Sequence, residues 1–240
     1  MILLTGDKHL YDLEIFAEVD KNVPNLTKKD YVIVLGDFGL LWNPDWTPEE
    51  LGLKKEIEDC SFTTLWLDGN HENFDRIDKL PEIEFCGGKA GKVSDSIIHL
   101  KRGEIYTIDG SKFFIFGGGK SIDKAYRTPG LTWWDRELPN FMEYKNGLDN
   151  LEKNNFEVDY ILTHEAPSGI YHKLTEYFLI GHGREPKHDD YDLPKYLQEV
   201  FDKTNFKRWY FGHHHTNKEF GKLTCLYDTF LKLGVALPDF

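Results

Sequence analysis

Tyr31-Val32-Ile33-Val34-Leu35 is followed at once by Gly36-Asp37. A run of consecutive apolar residues, β-branched at its centre, specifies a strand buried on both faces, and Gly-Asp ends it in a sharp turn. The same arrangement recurs along the chain. Residues 2–5 run into Gly6-Asp7-Lys8-His9, and Phe62 to Leu67 leads to Gly69-Asn70-His71-Glu72. Tyr160-Ile161-Leu162 leads to Thr163-His164, and Arg208 to Phe211 leads to Gly212-His213-His214-His215.

The segments between these strands supply the rest of the fold class. Leu10 to Val19 carries apolar residues at helical spacing. Thr47-Pro48-Glu49-Glu50 reads as a helix start, with a hydroxyl N-cap, proline at the first helical position and a glutamate placed for a capping box, the helix running to about Asp59. From about Ser96 the period shortens to that of strands: Ile97 to Leu100, Glu104 to Ile108 and Lys112 to Phe116, the last two joined by the tight-turn pair Asp109-Gly110. Helices are predicted over 140–154 and 193–202, and a hairpin over 217–233. Strand–helix–strand alternation followed by hairpins predicts a mixed two-sheet α/β sandwich flanked by helices. No linker, charge block or fixed-period repeat divides the chain, which predicts a single domain over residues 1–240.

Composition narrows the function classes. Asp+Glu 41 against Lys+Arg 29 gives a formal net charge of −12, which argues against nucleic acid as a partner, because backbone binding needs a basic face. Cys60, Cys86 and Cys225 form neither a C-x-x-C pair nor an even disulfide set. The apolar N-terminus is too short for a signal-peptide core or a membrane span. These features predict a soluble protein of a reducing compartment, the cytoplasm, with no membrane association.

In open α/β sheets ligands bind beyond the carboxyl ends of the strands. That edge here gathers aspartates, an asparagine and several histidines. Oxygen and imidazole donors without thiolate suit Mn, Fe, Zn or Mg. They are too many for one ion, and they match two ions ~3.5–4 Å apart sharing a carboxylate and clamping the attacking and leaving oxygens of an in-line displacement.

The ordered set D-x-H, G-D, G-N-H-E, H and G-H-x-H, spanning Asp7 to His215, resembles the calcineurin-like metallophosphoesterase superfamily. The resemblance implies a four-layer αββα fold and hydrolysis of a small phosphate monoester or diester by a hydroxide bridging two divalent metals (Mn, Fe or Zn). It implies that Asp7, His9 and His215 hold one metal, that Asn70, His164 and His213 hold the other, and that Asp37 bridges. Asn70 and His71 would meet the phosphate, with His71 protonating the leaving oxygen. A phosphoprotein phosphatase or a nuclease on the same fold, and a non-catalytic scaffold, are the alternatives.

Two departures separate the chain from the phosphoprotein phosphatases it resembles. Leu10 stands where they carry glycine after D-x-H, and Phe38-Gly39-Leu40-Leu41 replaces the continuation of G-D-x-x-D-R-G. The aspartate that would orient His71 and the arginine that would hold phosphate are both missing from that segment. Arg127, in the loop after a predicted strand, is a candidate for the phosphate contact, since guanidinium forks match phosphate oxygens. Gly117-Gly118-Gly119-Lys120-Ser121 has the wrong spacing for a P-loop. His214 is expected to face solvent, and Glu72 to be a structural acceptor. Trp133 and Trp134 are expected to pack, and His182, His188, Asp189 and Asp190 to lie in an exposed polar loop.

Overall fold

The computed structural model describes residues 1–9, 14–182 and 191–237. Thirteen strands, β1 to β13, form two sheets among the described residues. The first sheet contains β1 (Ile2–Thr5), β2 (Tyr31–Leu35), β3 (Thr63–Leu67), β4 (Glu82–Phe85), β5 (Gly88–Ser94), β6 (Ile97–Leu100) and β13 (Leu231–Lys232), in the order β13-β1-β2-β3-β6-β5-β4. The second contains β7 (Ile105–Ile108), β8 (Ser111–Phe116), β9 (Tyr160–Thr163), β10 (Arg208–Phe211), β11 (Lys218–Phe220) and β12 (Leu223–Cys225), in the order β11-β12-β10-β9-β8-β7. β1, β2 and β3 are parallel neighbours, and so are β8, β9 and β10. Their carboxyl ends therefore share one edge within each sheet.

Period-two alternation divides each strand between two layers. Ile2, Leu4, Ile33, Leu35, Leu65 and Leu67 point inward and meet Phe113, Ile115, Leu162 and Tyr210 of the second sheet. Leu3, Val32, Val34 and Trp66 point outward, onto Phe16 and Val19 of α1 (Glu14–Asn22) and Ile57 of α2 (Pro48–Asp59). Phe114, Phe116, Ile161, Trp209 and Phe211 pack outward on Leu151 of α4 (Phe141–Lys153) and on Leu193, Leu197 and Val200 of α6 (Asp192–Lys203). Between these lie α3 (Phe74–Ile77) and α5 (Tyr171–His182). The result is helix, sheet, sheet, helix: the predicted α/β sandwich.

Local signals explain the boundaries. α2 begins with the full capping box, Thr47 accepting from the Glu50 amide and Glu50 from the Thr47 amide. α4 repeats the device with Asn140 and Glu143. Asp109 (φ 51°) and Gly110 (φ 77°) form the tight turn joining β7 to β8.

The structure corrects several expectations. α1 is described from Glu14 and runs to Asn22, past Val19; the expected start at Leu10 lies outside the described residues, which resume at residue 14. The β4–β5 hairpin escaped the sequence reading: its turn is Cys86 (φ 49°) and Gly87 (φ 90°), and β5 is rich in lysine and glycine, poor strand formers. His182, expected in an exposed polar loop, is instead the last residue of α5. His188, Asp189 and Asp190 lie outside the described residues. The expected hairpin over 217–233 is only β11 with β12, because β13 crosses to pair with β1 in the other sheet.

Candidate metal centre

The ligand-bearing residues follow strand ends from both sheets: Asp7 after β1, Asp37 after β2, Asn70 and His71 after β3, His164 after β9, and His213 and His215 after β10. The sheets approach closely enough for their side chains to meet because glycines stand at the junction, Gly36 among them with Gly6 and Gly212. A Cβ at Gly36 would lie 2.1 Å from His164 Nδ1, and the φ of Gly36, +94°, is one that L residues rarely adopt. Four of the site residues themselves hold positive φ: His9 (47°), Asp37 (50°), His213 (66°) and His215 (46°). Each such residue costs of order 1–3 kcal/mol, and clusters of them mark functional sites.

Asp37 is central. Its Oδ1 accepts from the His71 amide at 2.7 Å and lies 3.6 Å from His164 Nε2, while its Oδ2 lies 3.7 Å from His9 Nε2. On one side Asp7, His9 and His215 bring ligand atoms together, with His215 Nε2 3.0 Å from Asp7 Oδ2 and 3.4 Å from His9 Nε2. On the other, Asp7, Asp37 and His164 form a second grouping that is fully buried. Asn70 Oδ1 adds to it, 3.0 Å from His164 Nε2. Asp7 also joins the sheets directly, its Oδ1 accepting from the His213 amide at 3.1 Å.

The donor chemistry fits a cation. The Leu35 carbonyl, 2.7 Å from His164 Nδ1, can only accept, so Nδ1 carries a proton, and Nε2 offers a lone pair whenever the ring is neutral. That lone pair faces the Asn70 and Asp37 oxygens, three acceptors converging with no donor between them. Asp7 Oδ2 is buried, and the contact it makes is with another donor atom of the set, His215 Nε2 at 3.0 Å. Gly119 closes the far wall: a Cβ there would come within 3.0 Å of His164 Cδ2, 3.2 Å of Asn70 Oδ1 and 3.3 Å of His213 Nδ1. The residues could thus hold two cations, with Asp37 between them and Asp7 reaching toward both.

The electrostatics are mixed: burial works against a charge on His164, but Asp37 and Asp7 beside it outweigh burial and raise it. Burial opposes ionisation of Asp7, yet His215, His164 and the His213 amide hold its carboxyl well below the usual range. Burial is also the largest influence on His213, pushing it down to about 4, so the ring is neutral at pH 7 and able to ligate. His215 is raised, first by its contact with Asp7. Burial lowers His71. Glu72 behaves as expected: it accepts from the Phe38 amide at 2.9 Å, and burial beside Asp37 raises its carboxyl well above the ordinary value.

Arg127 reaches the site. Its Nη2 lies 3.4 Å from His71 Nε2, and Asp123 grips the same guanidinium through Nε at 2.7 Å and Nη2 at 2.6 Å. A guanidinium only donates, so this contact requires His71 Nε2 to be unprotonated. Trp133 and Trp134 pack, as expected: both are buried, Trp133 under Lys124, and Trp134 donating to Asp75. His214 does not face solvent. It is largely buried, with Nε2 2.9 Å from Glu165 Oε1.

Three supporting groups escaped the sequence reading. Glu165 is buried between His213 (3.5 Å) and His214, which with Tyr191 overcome the effect of burial and hold it well below the carboxylate range. Asp68 is buried with His99 and Arg102. Glu137 is buried against Ser121. Glu165 was within reach of sequence, lying directly after His164. Arg102 and Glu137 lie in segments with no signal, and only the fold brings them near.

The calcineurin-like phosphoesterase family model matches residues 1–217, and the chain belongs to that family. It is, in general terms, a metal-dependent phosphoesterase, a hydrolase of phosphoester bonds. No curated protein matches the chain closely enough to count as a relative. Among the described residues no helix is long and apolar enough to cross a membrane.

Proposed function

We propose that this chain hydrolyses small phosphate monoesters or diesters with a pair of divalent cations, Mn, Fe or Zn. Asp7, His9 and His215 would hold one cation, Asn70, His164 and His213 the other, and Asp37 would serve both. The observation that carries this reading is Asp37 itself, its two oxygens facing His9 Nε2 at 3.7 Å and His164 Nε2 at 3.6 Å. When bound, two cations clamp phosphate oxygens and acidify water enough to supply hydroxide at neutral pH.

The protein's own groups have the remaining tasks. Arg127 binds a phosphate oxygen, held in place by Asp123. With phosphate drawing Nη2 away, His71 Nε2 can take up a proton from solvent and then give it to the leaving oxygen. An acidic surface, net −12, favours a small substrate over nucleic acid. Cys60 and Cys225 are buried free thiols, in keeping with a cytoplasmic location, and the inward faces of both sheets share one core, which supports reading residues 1–240 as one domain.

The test is a hydrolysis panel on Mn-reconstituted protein, comparing chromogenic mono- and diesters, cyclic nucleotides, phosphopeptides and single-stranded DNA. Turnover of a small ester is expected; preference for DNA or phosphopeptide would replace the proposal. Arg127→Ala should raise KM about tenfold, the scale of ~1.4 kcal/mol of lost binding, and unchanged KM and kcat would remove Arg127 from the site.

A further inference from the structure

Asparagine is an ambiguous metal ligand. Its oxygen and nitrogen ends have nearly the same shape, and only the oxygen can face a cation. Something in the protein must choose between the two orientations of Asn70.

The structure supplies the choice from a loop outside the ligand set. Asn70 Nδ2 lies 3.1 Å from Ser121 Oγ, and Ser121 Oγ lies 2.6 Å from Glu137 Oε2. The Ser121 amide also faces Glu137 Oε1, at 3.3 Å. All three residues are buried. The Ser121 hydroxyl has one proton, which it donates in a hydrogen bond to the Glu137 carboxylate. Toward Asn70 the hydroxyl can then only accept, which selects the amide NH2. Asn70 Oδ1 is left facing His164 Nε2 at 3.0 Å.

Glu137 is itself anchored. Arg102 Nη2 donates to the carbonyls of Arg136 (2.9 Å) and Glu137 (3.2 Å), and Arg102 Nε donates to Asp68 at 2.7 Å. Asp68 sits just beyond β3, two residues before Asn70. The Gly119 amide donates to the Glu137 carbonyl at 3.2 Å, and the Gly118 amide to the Asp68 carbonyl at 2.8 Å. The loop carrying Ser121 and the turn carrying Asn70 are thus tied to one buried frame.

We propose that Ser121 and Glu137 form a positioning relay that holds the Asn70 amide with its oxygen toward the cation on the buried side of Asp37. The proposal rests on the two-cation reading above. Ser121 is a positioning residue: it acts on the cation through Asn70. Gly-Lys-Ser, which looks like a fragment of a nucleotide-binding loop, here serves the serine's hydroxyl.

The experiment titrates Mn2+ into metal-stripped wild-type, Ser121→Ala, Ser121→Thr, Glu137→Gln and Asn70→Asp proteins, and into the Asn70→Asp/Ser121→Ala double variant, by calorimetry. Ser121→Ala should weaken one Mn2+ equivalent by ~10–100-fold, the range for loss of an outer partner, and leave the other within about twofold. Ser121→Thr keeps the hydroxyl and should restore it. Glu137→Gln should weaken the same equivalent, because an amide can donate to Ser121 and release the selection. A carboxylate has no wrong end, so Ser121→Ala should cost little in the Asn70→Asp background. An equal cost in both backgrounds would make Ser121 a loop support only and overturn the relay. So would unchanged Mn2+ binding by a folded Ser121→Ala protein while wild type takes up two equivalents. Wild-type protein that takes up fewer than two overturns the two-cation reading itself, and the relay with it.

Discussion

The two sides of Asp37 use similar ligands in unlike surroundings. His164 is fully buried, whereas the His9 and His215 side chains remain 31% and 50% exposed. On the buried side each ligand is fixed from behind: His164 by the Leu35 carbonyl, Asn70 by Ser121, His213 by the facing carboxylate of Glu165. On the open side the rings are placed by left-handed backbone at His9 and His215, and by stacking of His215 on Tyr227, centroids 4.6 Å apart. Outer partners hold a ligand more firmly where water is excluded, since water otherwise competes for the same hydrogen bonds. On the two-cation proposal, the buried side would hold its cation fixed and the open side would meet substrate and solvent.

The largest expected effect comes from the residue that both sides share. Asp37→Asn should weaken both Mn2+ equivalents by more than the ~100-fold that loss of an outer partner costs, and activity should vanish with them. Calorimetric loss of one equivalent alone would break the symmetry assumed for Asp37. His71→Gln tests a residue that belongs to neither side: kcat should fall by ~10²–10⁴-fold with both equivalents retained. Full activity in that variant would mean the proton comes from elsewhere. Glu165→Gln should weaken the buried equivalent alone, by ~10–100-fold, as read by Mn2+ titration. An effect on the open equivalent instead would reverse the comparison.

Glu50 gives the smallest effect and the control. It accepts from the Trp42 and Asn43 amides and pairs with Arg76 at 2.9 Å, away from both sides. Burial works against its ionisation, but the Asn43 amide and Arg76 lead the groups that hold its carboxyl below the ordinary value. A depressed value in the folded state means the stabilisation is present above the unfolded-state pKa and is lost as pH falls through the folded one. Glu50→Gln should therefore lower Tm by about 3–10 °C at pH 7, and by progressively less as the pH drops below 4. Mn2+ binding should be unchanged; altered binding would show that the site depends on the distant loop.

The sequence carried the strand order of the site well. β1, β2, β3, β9 and β10 each end where an apolar run meets Gly or Thr and a ligand type, because a strand buried on both faces leaves an uninterrupted apolar signature. β4 and β5 were illegible for the opposite reason. β4 shows the alternation over only four residues, Glu82 to Phe85, and β5 buries glycines and an alanine among lysines, so neither length nor propensity separated them from loop. His214 was misjudged because alternation along a strand end predicts only which way a side chain points. It does not say whether another element, here the segment bearing Glu165, waits there.

By itself the sequence determined which donor atoms are available and the order in which the strands deliver them, since both follow from local residue type and short-range periodicity. Only the tertiary structure decided which donor atoms come together, that Arg127 reaches His71, and that Ser121, Glu137 and Glu165 stand behind the candidate ligands. Those relations join residues far apart in the chain. The packing of two sheets across Gly36 sets their distances, and no local pattern encodes that packing.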